Sequence, residues 1–213
     1  MGVRERQERE RQMVARAILD AAREMFVRDG YDGVSIRRIA ERIEYSPAAI
    51  YSYFPSKDDI LVALATEGFQ LFLEAARAAD SGGTPVEAIR RRFWSVYEFS
   101  KTHPEYFALM FLDRSVTAIC RDWQRFGFVR EMENDVGPLI QAAIDDGDFP
   151  PGTDPDIVLR ILSTAIHGAA AARLCDRLMP GEEADALARD TLEAALTGLR
   201  AGFATTFEPV QHD

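Results

Sequence analysis

Cysteine, histidine and lysine are nearly missing from this 213-residue chain. The two cysteines, Cys120 and Cys175, stand far apart without metal-site spacing, which excludes a disulfide framework and fits free thiols in a reducing compartment. His103, His167 and His212 lack metal spacing too, and no cysteine has a clear histidine partner. No glycine-rich phosphate loop occurs. The acidic pairs Asp58-Asp59, Asp145-Asp146 and Glu182-Glu183 fall at helix ends, where capping and solvation account for them. The expectation is no catalytic centre, no metal and no cofactor. Strand-like alternation is also missing. So are an apolar leader and any apolar run approaching membrane-spanning length, and the chain reads as soluble and cytoplasmic, with no membrane partner.

Net charge is −10, which on its face argues against a nucleic-acid partner. Its distribution removes the objection. Residues 1–60 carry 11 Lys+Arg against 11 Asp+Glu, and the rest carry 14 against 24. Counterion release depends on local phosphate contacts, so a neutral domain whose basic groups share one face still holds DNA.

What is present is helical periodicity throughout. Residues 1–12 alternate Arg with Glu and read as a frayed, solvated extension held by local ion pairs, or else as an arm reaching a minor groove through Arg4, Arg6 or Arg9. From Met13 to Arg28, Val14, Ala17, Ile18, Ala21, Met25 and Phe26 keep the helical period until Asp29-Gly30 stops it. In Ser35 to Lys57, Ile36, Ile39, Ala40 and Ile43 form one apolar face behind an N-capping Ser35. Glu44-Tyr45-Ser46 makes a turn. Ser46-Pro47 then opens a second short helix that buries Ile50 and Phe54 and shows only Ala48, Ala49 and Tyr51 in its first turn. Two helices joined this tightly, the second bare at its start, predict a helix-turn-helix reader. Arg37, on the exposed side, suits a guanine edge or a phosphate.

The run Tyr31 to Leu61 resembles the N-terminal DNA-binding domain of the tetracycline-repressor (TetR) family of bacterial regulators. The resemblance lies in Gly30-Tyr31, Ser35, Ile39-Ala40, Ser46-Pro47, Ile50-Tyr51, Tyr53-Phe54, and Lys57 with Leu61 after it. It covers roughly the first quarter of the chain. It implies that Ser35, Tyr51 and Lys57 meet phosphates, with Tyr53 beside them, and that Ala48 and Ala49 lie against bases. Ser46 joins this DNA-facing set. The family often places a hydrogen-bonding residue where Ala49 stands, so sequence information falls to Arg37, Tyr51 or DNA shape.

Beyond residue 55 the expectation is one long helix from Ser56 to about Ala79. A helix capped by Thr84 and Glu87 follows, then a restart at His103-Pro104 and a helical stretch over 117–146 kinked or interrupted at Gly137-Pro138. KTHPEYFALMF resembles C-terminal domains of some TetR-like regulators. Aromatics and methionines are dense there, and Phe93, Trp94, Tyr97, Phe107, Met110, Phe111, Trp123, Phe126 and His167 are candidates for an effector pocket. Ordinary core is the alternative at each position. The helix 155–178 is apolar nearly all round and is expected to be buried on every side. With 182–206 it predicts a homodimer seam that includes Ala170. The fold reads as all-α: a three-helix DNA-binding domain over 1–55 and a helical ligand-binding and dimerisation bundle over 56–213. The function reads as a repressor released from a palindromic operator by a small apolar or amphipathic effector. An activator, a partner-controlled regulator, or a ligand-binding protein or enzyme with a vestigial DNA module are the alternatives.

Overall fold

The computed structural model describes residues 2–78, 82–119 and 127–202, which form helices and, among the described residues, no strand. In order these are α1 (Val3–Asp29), α2 (Ile36–Arg42), α3 (Pro47–Tyr51), α4 (Lys57–Ala78), α5 (Pro85–Thr102), α6 (Pro104–Phe107), α7 (Arg114–Ile119), α8 (Gly127–Asp145), α9 (Pro155–Leu174) and α10 (Ala184–Ala201). A π-helical turn, Ala108–Leu112, follows α6. Packing divides the chain into two compact units: residues 1–71 with 103–123, and residues 72–102 with 124–213. This division of packing falls within α4, whereas the division of roles expected from sequence falls after residue 55.

Local chemistry sets the helix starts of the first unit. Ser35 Oγ accepts from Arg38 N at 3.3 Å, Ser46 Oγ from Ala49 N at 3.1 Å, and Ser56 Oγ from Asp59 N at 3.2 Å. Each bond satisfies a donor that the first helical turn leaves without a partner. The turn between α2 and α3 is a Schellman motif. Tyr45 N donates to Ala40 O at 2.9 Å and Glu44 N to Glu41 O at 3.4 Å, with Glu44 left-handed at φ 59°. Gly33 lies so close to the end of α1 that a Cβ there would stand 2.4 Å from Asp29 O. Ile18, Phe26, Ile39 and Ile50 are at most 1% exposed, while Ile43 and Phe54 are half-buried and Ala17 is exposed. Ala22 is buried in the place where Ala17 was expected. Arg16 binds Glu67 at 2.5 Å and Asp20 at 2.8 Å, and Arg23 donates to Tyr106 Oη at 2.8 Å, tying α1 to α4 and α6.

Residues 3–12 differ from expectation. They are regular helix continuous with α1, and Arg4, Arg6, Arg9 and Arg11 form no ion pair among the described residues.

In the second unit, Thr84 N donates to Glu87 Oε2 at 2.9 Å and Glu87 N to Thr84 Oγ1 at 3.4 Å, the expected capping box of α5. α8 runs without interruption through Pro138, whose missing N–H removes one hydrogen bond but does not end the helix. α9 stops at Leu174 rather than 178. Asp176, left-handed at φ 51°, turns the chain, and Arg177 N closes on Ala172 O at 2.8 Å. Nor is α9 buried all round. Val158, Leu162, Ile166, Ala169 and Ala170 are buried, but Ile157, Ile161 and Ala165 are half-buried and Gly168 is exposed. Ala170, expected in a dimer seam, is 0% exposed within its own protomer. By length and composition, Pro155–Leu174 is long and apolar enough to cross a membrane, contrary to the sequence reading. Residues 203–206 of the expected last helix lie outside the described residues.

Candidate nucleic-acid interface

α2 and α3 turn their apolar sides inward through Ile39, Ala40 and Ile50, which decides what they show outward. Exposed there, among others, are Arg37, Arg38, Glu41, Arg42, Tyr45, Ala48 and Tyr51, with Ala49 half-buried. The Arg37 side chain is 81% exposed and its Nε donates to Glu41 Oε1 at 2.9 Å. An exposed i, i+4 pair is worth only about 0.3–0.5 kcal/mol, so a phosphate or a guanine edge displaces Glu41 at little cost. Tyr51 and Tyr45 stand 54% and 44% exposed, each presenting a hydroxyl above an apolar ring. Tyr45 carries no sequence signal that distinguishes it from a buried turn residue, and the sequence reading gave it no role.

Other predicted DNA contacts already have partners within the unit. Ser35 and Ser46 use their oxygens as caps, leaving each hydroxyl proton to donate outward. Lys57 is half-buried: its Nζ donates to Tyr31 O at 2.9 Å and Val34 O at 3.0 Å, and it sits 3.7 Å from the Tyr31 ring centroid. These bonds fasten the turn after α1 to the start of α4, a structural task that the spacing did not reveal. Tyr53 is half-buried, with the Arg11 guanidinium 5.9 Å from its ring centroid. Arg38 donates to Gly33 O and, at 2.7 Å, to Asp29 Oδ2. Arg28 first, with Arg38, holds the Asp29 carboxyl well below the usual range. Burial, then the hydrogen bond to Asp58, pushes the Tyr31 phenol up.

The effector candidates do not come together in one unit. Phe107, Met110 and Phe111 belong to the first, Phe93, Trp94, Tyr97 and His167 to the second, and Trp123 and Phe126 lie outside the described residues. Phe93 and Tyr97 are core, at 3% and 0% exposed. Tyr97 donates to Asp185 Oδ1 at 2.9 Å; burial and that bond push its phenol up to about 12. Burial pushes the His167 imidazole down to about 4. Trp94 is the exception. It lines an open groove of about 730 Å³ in the second unit with Ala75, Ala78, Phe99 and Leu192, and the Arg189 guanidinium stands 5.3 Å from its ring.

The geometry of the first unit defines a helix-turn-helix module with its reading side bare. Residues 18–64 match the family described as bacterial regulatory proteins, tetR family. The transcriptional repressor KstR of Mycolicibacterium smegmatis is 40% identical over 73 residues, 34% of this chain and 36% of KstR, so the chain spans about a third of that relative's length. The transcriptional regulator RutR of Escherichia coli K12 is 24% identical over 154 residues, 72% of this chain and 73% of RutR. Among solved structures, the fatty acid degradation regulator FadR of Bacillus halodurans has a TM-score of 0.72 at 18% identity, covering 87% of this chain and 96% of that one. The TetR family regulator PfmR of Thermus thermophilus has a TM-score of 0.67 at 22% identity, covering 85% and 98%. These two likenesses concern the fold alone. Residues 18–64 are therefore similar to the DNA-binding segment of the tetR family of bacterial regulatory proteins.

Proposed function

We propose that this protein is a DNA-binding transcriptional repressor that reads a palindromic operator as a homodimer. The observation that carries the reading is the outward side of α2 and α3, where Arg37, Tyr45, Ala48 and Tyr51 project. Arg37, Tyr51 and the Ser35 and Ser46 hydroxyls meet DNA with Tyr53 beside them, Ala48 and Ala49 approach bases, and Lys57 holds the turn after α1 to the start of α4.

Dimerisation uses the unpacked sides of α9 and α10. Ile157, Ile161, Ala165, Gly168 and Ala172 recur at helical spacing on α9, and Leu187, Thr191, Ala195 and Gly198 on α10; all are half-buried except Gly168, which is exposed. Small residues there let a second pair of helices lie close, completing a four-helix interface about a two-fold axis. This accounts for the membrane-like composition of α9, most of which is not fully buried within one chain.

The effector is a small apolar or amphipathic molecule, and Trp94 is its reporter. A ligand that prefers the released form by about 2.7 kcal/mol lowers operator affinity a hundredfold, and operator weakens ligand equally. Selecting duplexes from a random-sequence pool tests the core of the reading. An inverted repeat with half-sites one helical turn, or a multiple of it, apart is the expected product. Recovery of no enriched duplex would sink it.

A further inference from the structure

We infer that the first three turns of α1 are a second DNA-contacting element, in which Arg4 and Arg11 bind backbone phosphates just outside the segment that α2 and α3 read. The inference rests on the DNA-binding reading above but on separate residues.

No apolar side chain occurs from Arg4 to Gln12, and every residue there is exposed, so this rod has no stripe with which to pack on a protein. Its helix is secured locally. Gly2 N donates to Glu5 Oε2 at 2.9 Å, and Gln12 Nε2 donates to Glu8 Oε1 at 3.2 Å. Those bonds occupy two of its three carboxylates with neutral donors. Arg4, Arg6, Arg9 and Arg11 form no ion pair or hydrogen bond with the described residues, which leaves four cations on the rod unmatched.

Arg11 fixes which side of the rod faces the reader. Its guanidinium stands 5.9 Å from the ring of Tyr53, two residues past the end of α3. Arg4, seven residues earlier, returns to the same side after two turns and lies roughly 10 Å further along the axis. Arg6 and Arg9 point to other sides. A polar rod with unmatched arginines on the side of a DNA-reading helix fits a polyanion, and the polyanion beside that helix is the flanking duplex backbone.

The test uses a duplex that the wild type selects from a random pool, trimmed to its inverted repeat, and the same duplex with half a helical turn of arbitrary sequence added at each end. The wild type should bind the longer duplex about tenfold or more tightly whatever the added sequence, since phosphates carry no sequence information. Arg4→Gln with Arg11→Gln should abolish that gain and flatten the slope of log affinity against log salt by about 3.6 for the four contacts of a dimer. Arg6→Gln with Arg9→Gln should keep the gain. Glutamine preserves helix propensity, and an unchanged far-ultraviolet spectrum checks it. A first double variant that keeps the gain, or two double variants that lose it equally, would overturn the placed contact while leaving the reading unit intact. A wild type that selects no duplex overturns both.

Discussion

In the proposed function, two basic residues of one unit divide the work, Lys57 holding and Arg37 reading. Lys57 has two carbonyls and a ring around its ammonium, whereas Arg37 has one exposed carboxylate. A hydrogen bond to a charged group contributes about 1.5–3 kcal/mol net, so Lys57→Ala should lower stability by roughly 2 kcal/mol or more, read as a shifted urea midpoint. Arg37→Ala should leave stability within about 0.5 kcal/mol and cost roughly 1–3 kcal/mol at a specific operator. The opposite pattern would exchange their roles. His167 supplies a pH signature. Its folded imidazole titrates near 4 against an ordinary 6.5, so below 6.5 the unfolded chain takes up a proton that the folded chain refuses. Stability from this group is fully present above pH 6.5 and is lost as pH falls toward 4. His167→Gln should flatten that fall in urea titrations at pH 7.5, 6 and 5; an unchanged profile would mean that the imidazole titrates normally.

Among the elements, what the sequence made legible was what local chemistry decides. Ser35, Ser46 and the Thr84–Glu87 pair are read correctly because a cap needs only its own first turn. Glu44 and Asp176 were not legible, since a left-handed residue is usually announced by glycine and these two are held there by Schellman bonds to Ala40 and Ala172. Relief of left-handed strain should make Glu44→Gly neutral or stabilising by up to about 1 kcal/mol, while Glu44→Ile should cost roughly 1–2 kcal/mol or more, both read from the urea midpoint. The direction of α9 was hidden for another reason. A helix apolar on all sides has no polar face to point outward, so Ala170 and Gly168 look alike in sequence although one is core and the other open. Burial of the aromatic candidates was hidden in the same way: Phe93 and Tyr97 carry the composition of a pocket and are 3% and 0% exposed. Lys57 was assigned to phosphate by resemblance, and its carbonyl partners lie 26 and 23 residues away, beyond any local pattern.

For the whole molecule, the open sides of α9 and α10 and the bare side of α2 and α3 are two halves of one claim, that a dimer places two readers on one operator. A Cβ built at Gly168 or at Gly198 meets nothing within 4 Å, so Gly168→Glu and Gly198→Glu leave the protomer's own packing untouched. Each places an unpaired charge in the proposed seam, which is strongly destabilising when buried. Either variant should sediment as a folded monomer at concentrations where the wild type is a dimer. The most direct measurement is a titration of wild type and Gly168→Glu against the selected inverted repeat and against one half of it, with stoichiometry read from sedimentation. The account predicts protomers in pairs on the full repeat for the wild type, a loss of about a hundredfold or more on the half-site, and Gly168→Glu binding both duplexes as weakly as the wild type binds the half-site. One protomer per duplex, with equal wild-type affinity for the full repeat and the half-site, would contradict it.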